Sequence, residues 1–218
     1  MLTDRIGEAL ARPLEGLVRA VARVHPDVLT IIGLALNGVA CALFAFSGGK
    51  DYRDPGLLRA GGLMALVASV FDMLDGRVAR LRGRGTRFGA FLDSTMDRYS
   101  DMVLFMGLMI LYARVDHTPQ MVLVWVAAFG SFMTSYARAR AESLIPSCTV
   151  GFLERPERLV LIVFGAATNR MVGVLWVIAV LSNVTALQRI VYTYVSLRRE
   201  AAGADDADAA PLGAREAR

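Results

Sequence analysis

Charge-free stretches organise this chain. Val28 to Gly49, Thr118 to Ala137 and Met171 to Gln188 carry no charged side chain, and each approaches or exceeds the roughly 20 residues needed to cross a bilayer as a helix. Three further stretches, Ala60 to Phe71, Met102 to Ala113 and Leu159 to Thr168, are apolar but shorter. Each adjoins polar sequence that keeps helical character: Asp72 to Arg80, Phe88 to Asp101 and Arg155 to Arg158. The pattern predicts an all-α integral membrane protein with six transmembrane helices, near 27–47, 57–80, 88–113, 119–142, 153–168 and 171–197. Three of these helices extend past the hydrocarbon with polar ends.

The first 25 residues read differently. Charges recur through Asp4, Arg5, Glu8, Arg12, Glu15, Arg19 and Arg23, so no uninterrupted apolar core of a signal peptide exists. Ile6, Leu10, Leu14, Leu17, Val18, Val21 and Val24 recur at helical spacing. This predicts an amphipathic helix over 1–25, lying in the membrane interface with basic residues on its polar face. His25-Pro26 breaks it before the first span. Residues 26–198 then form the six-helix domain, and the Ala/Asp/Gly-rich stretch 199–218 reads as a disordered cytoplasmic tail.

Composition sharpens this picture. The chain has 218 residues, 55% of them hydrophobic, and a mean hydropathy of +0.47. That is too apolar for an ordinary soluble domain and excludes extended disorder. Two cysteines, Cys41 and Cys148, exclude a disulfide scaffold and read as small core residues. Against this background stand 24 basic residues, all but Lys50 arginine. With six spans, nineteen of them fall on the side that holds both termini, the 77–87 loop and the 138–158 connection. The other side holds Lys50, Arg53, Arg59, Arg114 and Arg170. Basic loops stay in the cytoplasm, so the protein is expected as a multi-pass component of the cell membrane with both termini cytoplasmic.

Four carboxylates carry the chemistry. Asp72 and Asp75 are three apart and Asp93 and Asp97 four apart, so each pair shares one helix face. Helices joined by the short Leu81–Arg87 turn are antiparallel neighbours, and their pairs can converge. Aspartates at a span terminus are often only solvated helix ends. Two pairs at helical spacing, with Gly76, Ala79 and Gly89 on the same faces, point beyond that to function. Converging carboxylates repel, which calls for a divalent cation, and hard oxygen ligands suit Mg²⁺, Mn²⁺ or Ca²⁺. Between the pairs run Arg77, Arg80, Arg82, Arg84 and Arg87, whose guanidinium forks suit phosphate. Cation, phosphate and a spare carboxylate are the equipment of phosphoryl transfer.

The run Asp72-Met73-Leu74-Asp75-Gly76-Arg77-Val78-Ala79-Arg80, then eight residues, Gly89, three residues, Asp93, three residues, Asp97 resembles the full signature of the CDP-alcohol phosphotransferases. The resemblance extends through the span layout over about 1–198. It implies displacement of CMP from a CDP-linked lipid, CDP-diacylglycerol, by an alcohol. By position, Asp72, Asp75 and Asp93 would bind Mg²⁺ or Mn²⁺, with Asp97 assisting at a second ion. Asp97 would also be the general base for the acceptor hydroxyl. Asp72, Gly76 and Ala79 would face the cytidine nucleotide, and Arg80 its diphosphate. Family members often carry Pro-Asn-x-x-Thr before the first span; here Pro26-Asp27-Val28-Leu29-Thr30 keeps Thr30 near the nucleotide but has Asp27 for the usual Asn. The resemblance also implies a homodimer in the lipid bilayer with a cytoplasmic active site and no nucleic-acid partner.

The remaining arginines bear on the alcohol. Arg138 ends the fourth span, Arg155 opens the fifth and Arg189 lies in the sixth, all toward the side that carries the aspartates. Converging arginines suit an acceptor that itself bears a phosphate. They could equally be salt-bridged to Glu142, Glu154 and Glu157, and both can hold at once. The segments Ser135-Tyr136-Ala137-Arg138-Ala139-Arg140-Ala141-Glu142 and Glu154-Arg155-Pro156-Glu157-Arg158 are similar to those of phosphatidylinositol-phosphate synthases of actinobacteria and archaea. That resemblance implies inositol 1-phosphate as the acceptor, with Arg138, Arg155 and Arg189 gripping its phosphate. Phosphatidylglycerophosphate synthases, which use glycerol 3-phosphate, share the core motif and remain an alternative. A cation transporter is the non-enzyme alternative, but it would carry polar residues through the bilayer midplane, and these spans are apolar there.

Overall fold

The computed structural model describes residue 16, residues 26–49, 52–81 and 86–208. Six long helices account for most of them: α1 (Pro26–Phe46), α2 (Pro55–Leu81), α3 (Arg87–Arg114), α4 (Thr118–Ala141), α5 (Arg155–Thr168) and α6 (Met171–Asp208). They stand where the charge-free stretches and their polar extensions predicted helices. The amphipathic helix expected over 1–25 lies, apart from Gly16, outside the described residues, as does 209–218. At the other boundary the structure differs from the expectation: helical backbone continues to Asp208, past the predicted tail boundary at 199. Alanines at 201, 202, 204 and 207 favour helix there despite the acidic, Gly-containing composition.

Helix ends follow from local chemistry. Thr86 accepts a hydrogen bond from the Gly89 N–H at 2.9 Å and so starts α3. Glu157 reaches back to the Glu154 N–H at 3.0 Å, and Pro156 occupies the first turn of α5, where its missing N–H costs nothing. Asn169 ends α5 in the left-handed conformation (φ 57°). One feature has no counterpart in the hydropathy pattern. Gly48–Gly49 (β1) and Tyr52–Arg53 (β2) pair antiparallel between α1 and α2, with Gly48 opposite Arg53. Arg114 Nε donates to the Gly48 carbonyl at 2.7 Å and ties this turn to the end of α3.

Successive helices alternate in direction and pack in two groups. α1 lies against α2 and α3, and α4 lies against α6; the groups are joined where α3 packs on α4 and where α5 packs on both α2 and α6. Where α1 meets α3, Gly107 lets the backbones touch: a Cβ there would stand 2.6 Å from the Cys41 carbonyl oxygen. Both cysteines are buried and free, as expected. Where α4 meets α6, polar side chains donate to main-chain carbonyls inside apolar surroundings. Thr134 donates to the Ser182 carbonyl at 2.8 Å, and Asn183 Nδ2 donates to Ala179 O at 2.8 Å and Val126 O at 3.3 Å.

The outer surface is apolar. Leu63, Trp125, Phe129, Trp176 and Ile190 are among many large hydrophobic side chains left exposed, a surface suited to hydrocarbon and not to water. Four helical segments are long and apolar enough to cross a membrane: Val28–Phe46, Pro55–Val78, Thr118–Ala141 and Met171–Ala202. Gly107→Ala is expected to lower the melting temperature of detergent-solubilised protein, because α1 and α3 must part to admit the methyl group. The cost is about 1–3 kcal/mol. Gly173→Ala, which meets nothing within 4 Å, leaves the melting temperature unchanged or slightly raised.

Candidate active site at one end of the bundle

Alternating helix direction brings the start of α1, the end of α2, the start of α3, the end of α4 and the start of α5 to the same end of the molecule. Asp72, Asp75 and Asp93 meet there, each offering an oxygen, with all three oxygens within 4.8 Å of one another. Asp75 is buried (3% exposed) and accepts the Thr30 hydroxyl at 2.5 Å, across α1 and α2. Thr30, expected near the nucleotide, is itself buried and directed at this carboxylate. Gly76 follows in the next position and is half-buried. α2 runs on through Ala79 and Arg80 as helix; their side chains, expected to face the nucleotide and its diphosphate, lie outside the described residues.

The donor set fits a hard divalent cation. Oxygens on opposite sides of Mg²⁺ stand about 4.2 Å apart, twice the metal–oxygen distance, and a larger ion spreads them further. Three carboxylate oxygens within 4.8 Å close on such an ion with little movement. The fourth expected ligand, Asp97, is not part of this group. It lies one turn further along α3, where Arg155 Nη1 approaches its Oδ1 at 2.7 Å.

Arg155 departs furthest from its expected place. Instead of standing ready for an acceptor phosphate, its guanidinium pairs with Asp72, with Asp97 and, through Nε at 3.4 Å, with Asp101. One side chain from α5 thus joins carboxylates of α2 and α3. Asp101 also accepts from Arg158 Nη2 at 2.7 Å. Neither Asp101 nor Arg158 was singled out in the sequence, although Asp101 is four residues after Asp97, on the same helix face, and Arg158 is three after Arg155.

Beside these ion pairs opens a cavity of about 510 Å³. Its wall includes Asp93 and Asp97 from α3 and all three arginines expected to act together, Arg138, Arg155 and Arg189. Arg158 lines it as well. Arg138 pairs with Glu142 at 2.9 Å and Glu154 at 3.1 Å. Arg189 is almost fully buried and donates to Val150 O (2.9 Å), Thr134 O (2.8 Å) and Glu154 Oε1 (3.0 Å). The salt bridging foreseen for these arginines is therefore real, and it coexists with their convergence on one cavity. Arg158 is different: it is 2% exposed, and its Nε and Nη1 are buried without a hydrogen-bond partner. A guanidinium so placed is poised for an anion.

A helical membrane protein with three carboxylates closed around one point, beside a cavity walled by arginines, has the parts of an enzyme that transfers a phosphoryl-linked group held at the bilayer surface. Residues 23–198 match the CDP-alcohol phosphatidyltransferase family, and the chain belongs to that family of transferases. The phosphatidylinositol phosphate synthase of Mycobacterium tuberculosis is 39% identical over 194 residues, which cover 84% of this chain and 86% of that protein. The archaetidylinositol phosphate synthase of Methanothermobacter thermautotrophicus is 35% identical over 178 residues, covering 79% and 84%. Among solved structures, the M. tuberculosis synthase with CDP-DAG bound superposes with a TM-score of 0.74 at 34% identity, covering 84% of this chain and 94% of that one. The same enzyme in complex with manganese and citrate gives 0.74 over 83% and 88%.

The buried Arg158–Asp101 pair makes its own prediction. Asp101→Ala leaves the Arg158 charge uncompensated and should destabilise the protein by about 3 kcal/mol. The double variant with Arg158→Met should recover part of that loss, as read from thermal melts of all four proteins in a double-mutant cycle.

Proposed function

We propose that this protein transfers the phosphatidyl group of CDP-diacylglycerol to a hydroxyl of inositol 1-phosphate, releasing CMP. The observation that carries the reading is the opening of an arginine-walled cavity directly beside the Asp72–Asp75–Asp93 group. It supplies a place for a lipid-linked diphosphate and another for an acceptor that brings its own phosphate. The names of its relatives agree with this acceptor. The carboxylates gather at one end of the bundle instead of running through its middle, which speaks against the cation-transporter alternative.

Asp72, Asp75 and Asp93 hold a divalent cation, Mg²⁺ or Mn²⁺, with Thr30 fixing the Asp75 carboxylate. When bound, the cation would withdraw charge from the diphosphate and from the departing CMP oxygen. By the family resemblance, Gly76, Ala79 and Arg80 would serve the nucleotide and its phosphates. Arg138 and Arg158, backed by Arg189, hold the acceptor phosphate and leave its hydroxyl beside Asp97. Asp97 takes the hydroxyl proton as the alcohol oxygen bonds to the lipid-bearing phosphorus. The phosphoanhydride bond breaks, and its electron pair leaves with CMP. A carboxylate is a weak base and serves here only because the hydroxyl is positioned. Arg155 pairs with Asp97 and aims it, a positioning role in place of the phosphate contact expected of it.

The same reading makes all six helices transmembrane, preceded by the interfacial helix. α5, with 14 residues, is about 21 Å long and shorter than the hydrocarbon, so it spans with help from its flanks. Both termini and the site are cytoplasmic, which the nineteen basic residues on that side support. The protein works as a homodimer, for which the family resemblance is the support.

Purified protein given Mg²⁺ or Mn²⁺ should release CMP from CDP-diacylglycerol when inositol 1-phosphate is added. Release with glycerol 3-phosphate alone would move the acceptor assignment. No release with either, or with serine or inositol, would overturn the reading. Asp97→Asn should lower turnover by about 10²-fold or more while CMP binding, measured by calorimetry, persists; a near-normal rate would remove Asp97 from the role of base. Asp75→Asn should weaken Mn²⁺ binding, followed by electron paramagnetic resonance, whichever acceptor is used.

A further inference from the structure

Residues 142–154 connect α4 to α5 and end at the two side chains, Glu154 and Arg155, that join the arginine cavity to the carboxylates. The last part of this connection is bound along one face of α6. The Thr185 hydroxyl oxygen accepts two successive backbone N–H groups, Phe152 at 3.1 Å and Leu153 at 3.3 Å. One turn further along α6, Arg189 donates to the Val150 carbonyl and to Glu154. Between these anchors Gly151 has φ +135°, and a Cβ on it would lie 2.3 Å from Thr185 Cγ2. Only glycine serves at that position, for conformation and for space. Thr185 is fully buried and does not line the cavity, so nothing in its position serves substrate contact.

We propose that Thr185 is a positioning residue for the acceptor: its hydroxyl latches residues 150–154 onto α6 and thereby sets where Glu154, Arg155 and Arg158 stand in the site. The proposal rests on the acceptor assignment given above. The chain of consequence is short. Phe152 and Leu153 are held by Thr185. Glu154 follows and binds Arg138 and Arg189. Its carbonyl receives the Arg158 N–H at 3.2 Å, which fixes the first turn of α5. Loosening the latch releases Glu154 and its hold on Arg138 and Arg189 first, while the Thr30–Asp75 contact and the packing of α1 on α3 do not depend on it. The latch therefore acts on the acceptor and spares the nucleotide.

Thr185→Val keeps the shape of the side chain and removes the oxygen; Thr185→Ser keeps the oxygen. With Thr185→Val we expect the KM for inositol 1-phosphate to rise about tenfold, the scale of losing one to two hydrogen bonds. The KM for CDP-diacylglycerol should stay within about twofold, and Thr185→Ser should restore the acceptor KM. Hydrogen exchange followed by mass spectrometry should show faster exchange over residues 150–154 in Thr185→Val and not in Thr185→Ser. An unchanged acceptor KM, equal changes in both KM values, or unchanged exchange over 150–154 would overturn the proposal. Should Thr185→Val not yield protein that binds CMP, Thr185→Ala, which also removes the hydroxyl, carries the same expectations and the same overturning results. Failure of the wild type to use inositol 1-phosphate, with exchange still faster in the variant, would remove the acceptor assignment and leave the latch itself standing.

Discussion

The fold has to hold like charges together. Two unit charges 4 Å apart at an effective dielectric of about 20 interact by about 4 kcal/mol, and Asp72, Asp75 and Asp93 bring their oxygens to within 4.8 Å of one another. Asp97 and Asp101 follow at successive turns of α3. Such a row persists only where compensation is built in. Arg155 provides it from a third helix, pairing with Asp72, Asp97 and Asp101. Its single guanidinium makes the position of α5 depend on the carboxylates of α2 and α3, and makes those carboxylates tolerable in one place.

Everything that delivers Arg155 is built from short-range devices. The Glu154–Glu157 backbone link and Pro156 start α5 at a defined residue. Thr185 and Arg189 fix the strand of chain before it. Arg189 in turn depends on the α4–α6 contact, because one of its partners is the Thr134 carbonyl. That contact is held in an apolar interior by the hydrogen bonds of Thr134 and Asn183 to main-chain oxygens of the facing helix. A polar side chain in such surroundings has few alternative partners, which makes these bonds specific as well as stabilising.

The sequence carried much of this because helical periodicity and charge are local properties. The spacing of Asp72, Asp75, Asp93 and Asp97, with one short turn between the pairs, is enough to place them on facing helix surfaces. What it could not carry is how side chains divide their partners. Arg138, Arg155 and Arg189 do converge, but which of them faces the carboxylates depends on the rotation of α5 about its axis, set by a loop with no periodic signal. Asp101 obeys the same rule, since it continues the Asp93–Asp97 face by one more turn, but it lies beyond the motif. Arg158 shares a helix face with Arg155 by the same rule. The ladder of Gly48–Gly49 with Tyr52–Arg53 escaped because two-residue strands leave no alternation to read. The extension of α6 to Asp208 escaped because a composition rich in Ala, Asp and Gly suits both a tail and the end of a helix.

The site is divided between two parts of the molecule that differ in construction. The cation group belongs to α1, α2 and α3, where Thr30 meets Asp75 and Gly107 brings α1 and α3 into backbone contact. The arginine wall belongs to α4, the connecting loop, α5 and α6. Beyond the cavity itself, the two parts meet through Arg155, through Arg158 with Asp101, through Arg59 donating to the Ala167 carbonyl, and through the packing of α3 on α4. Substitutions in the loop or at the facing ends of α4 and α6 therefore act first on the arginine wall and reach the carboxylates through Arg155 and Arg158. The carboxylate half is constrained by charge that must be compensated in place, and the arginine half by a loop whose geometry depends on a few hydrogen bonds.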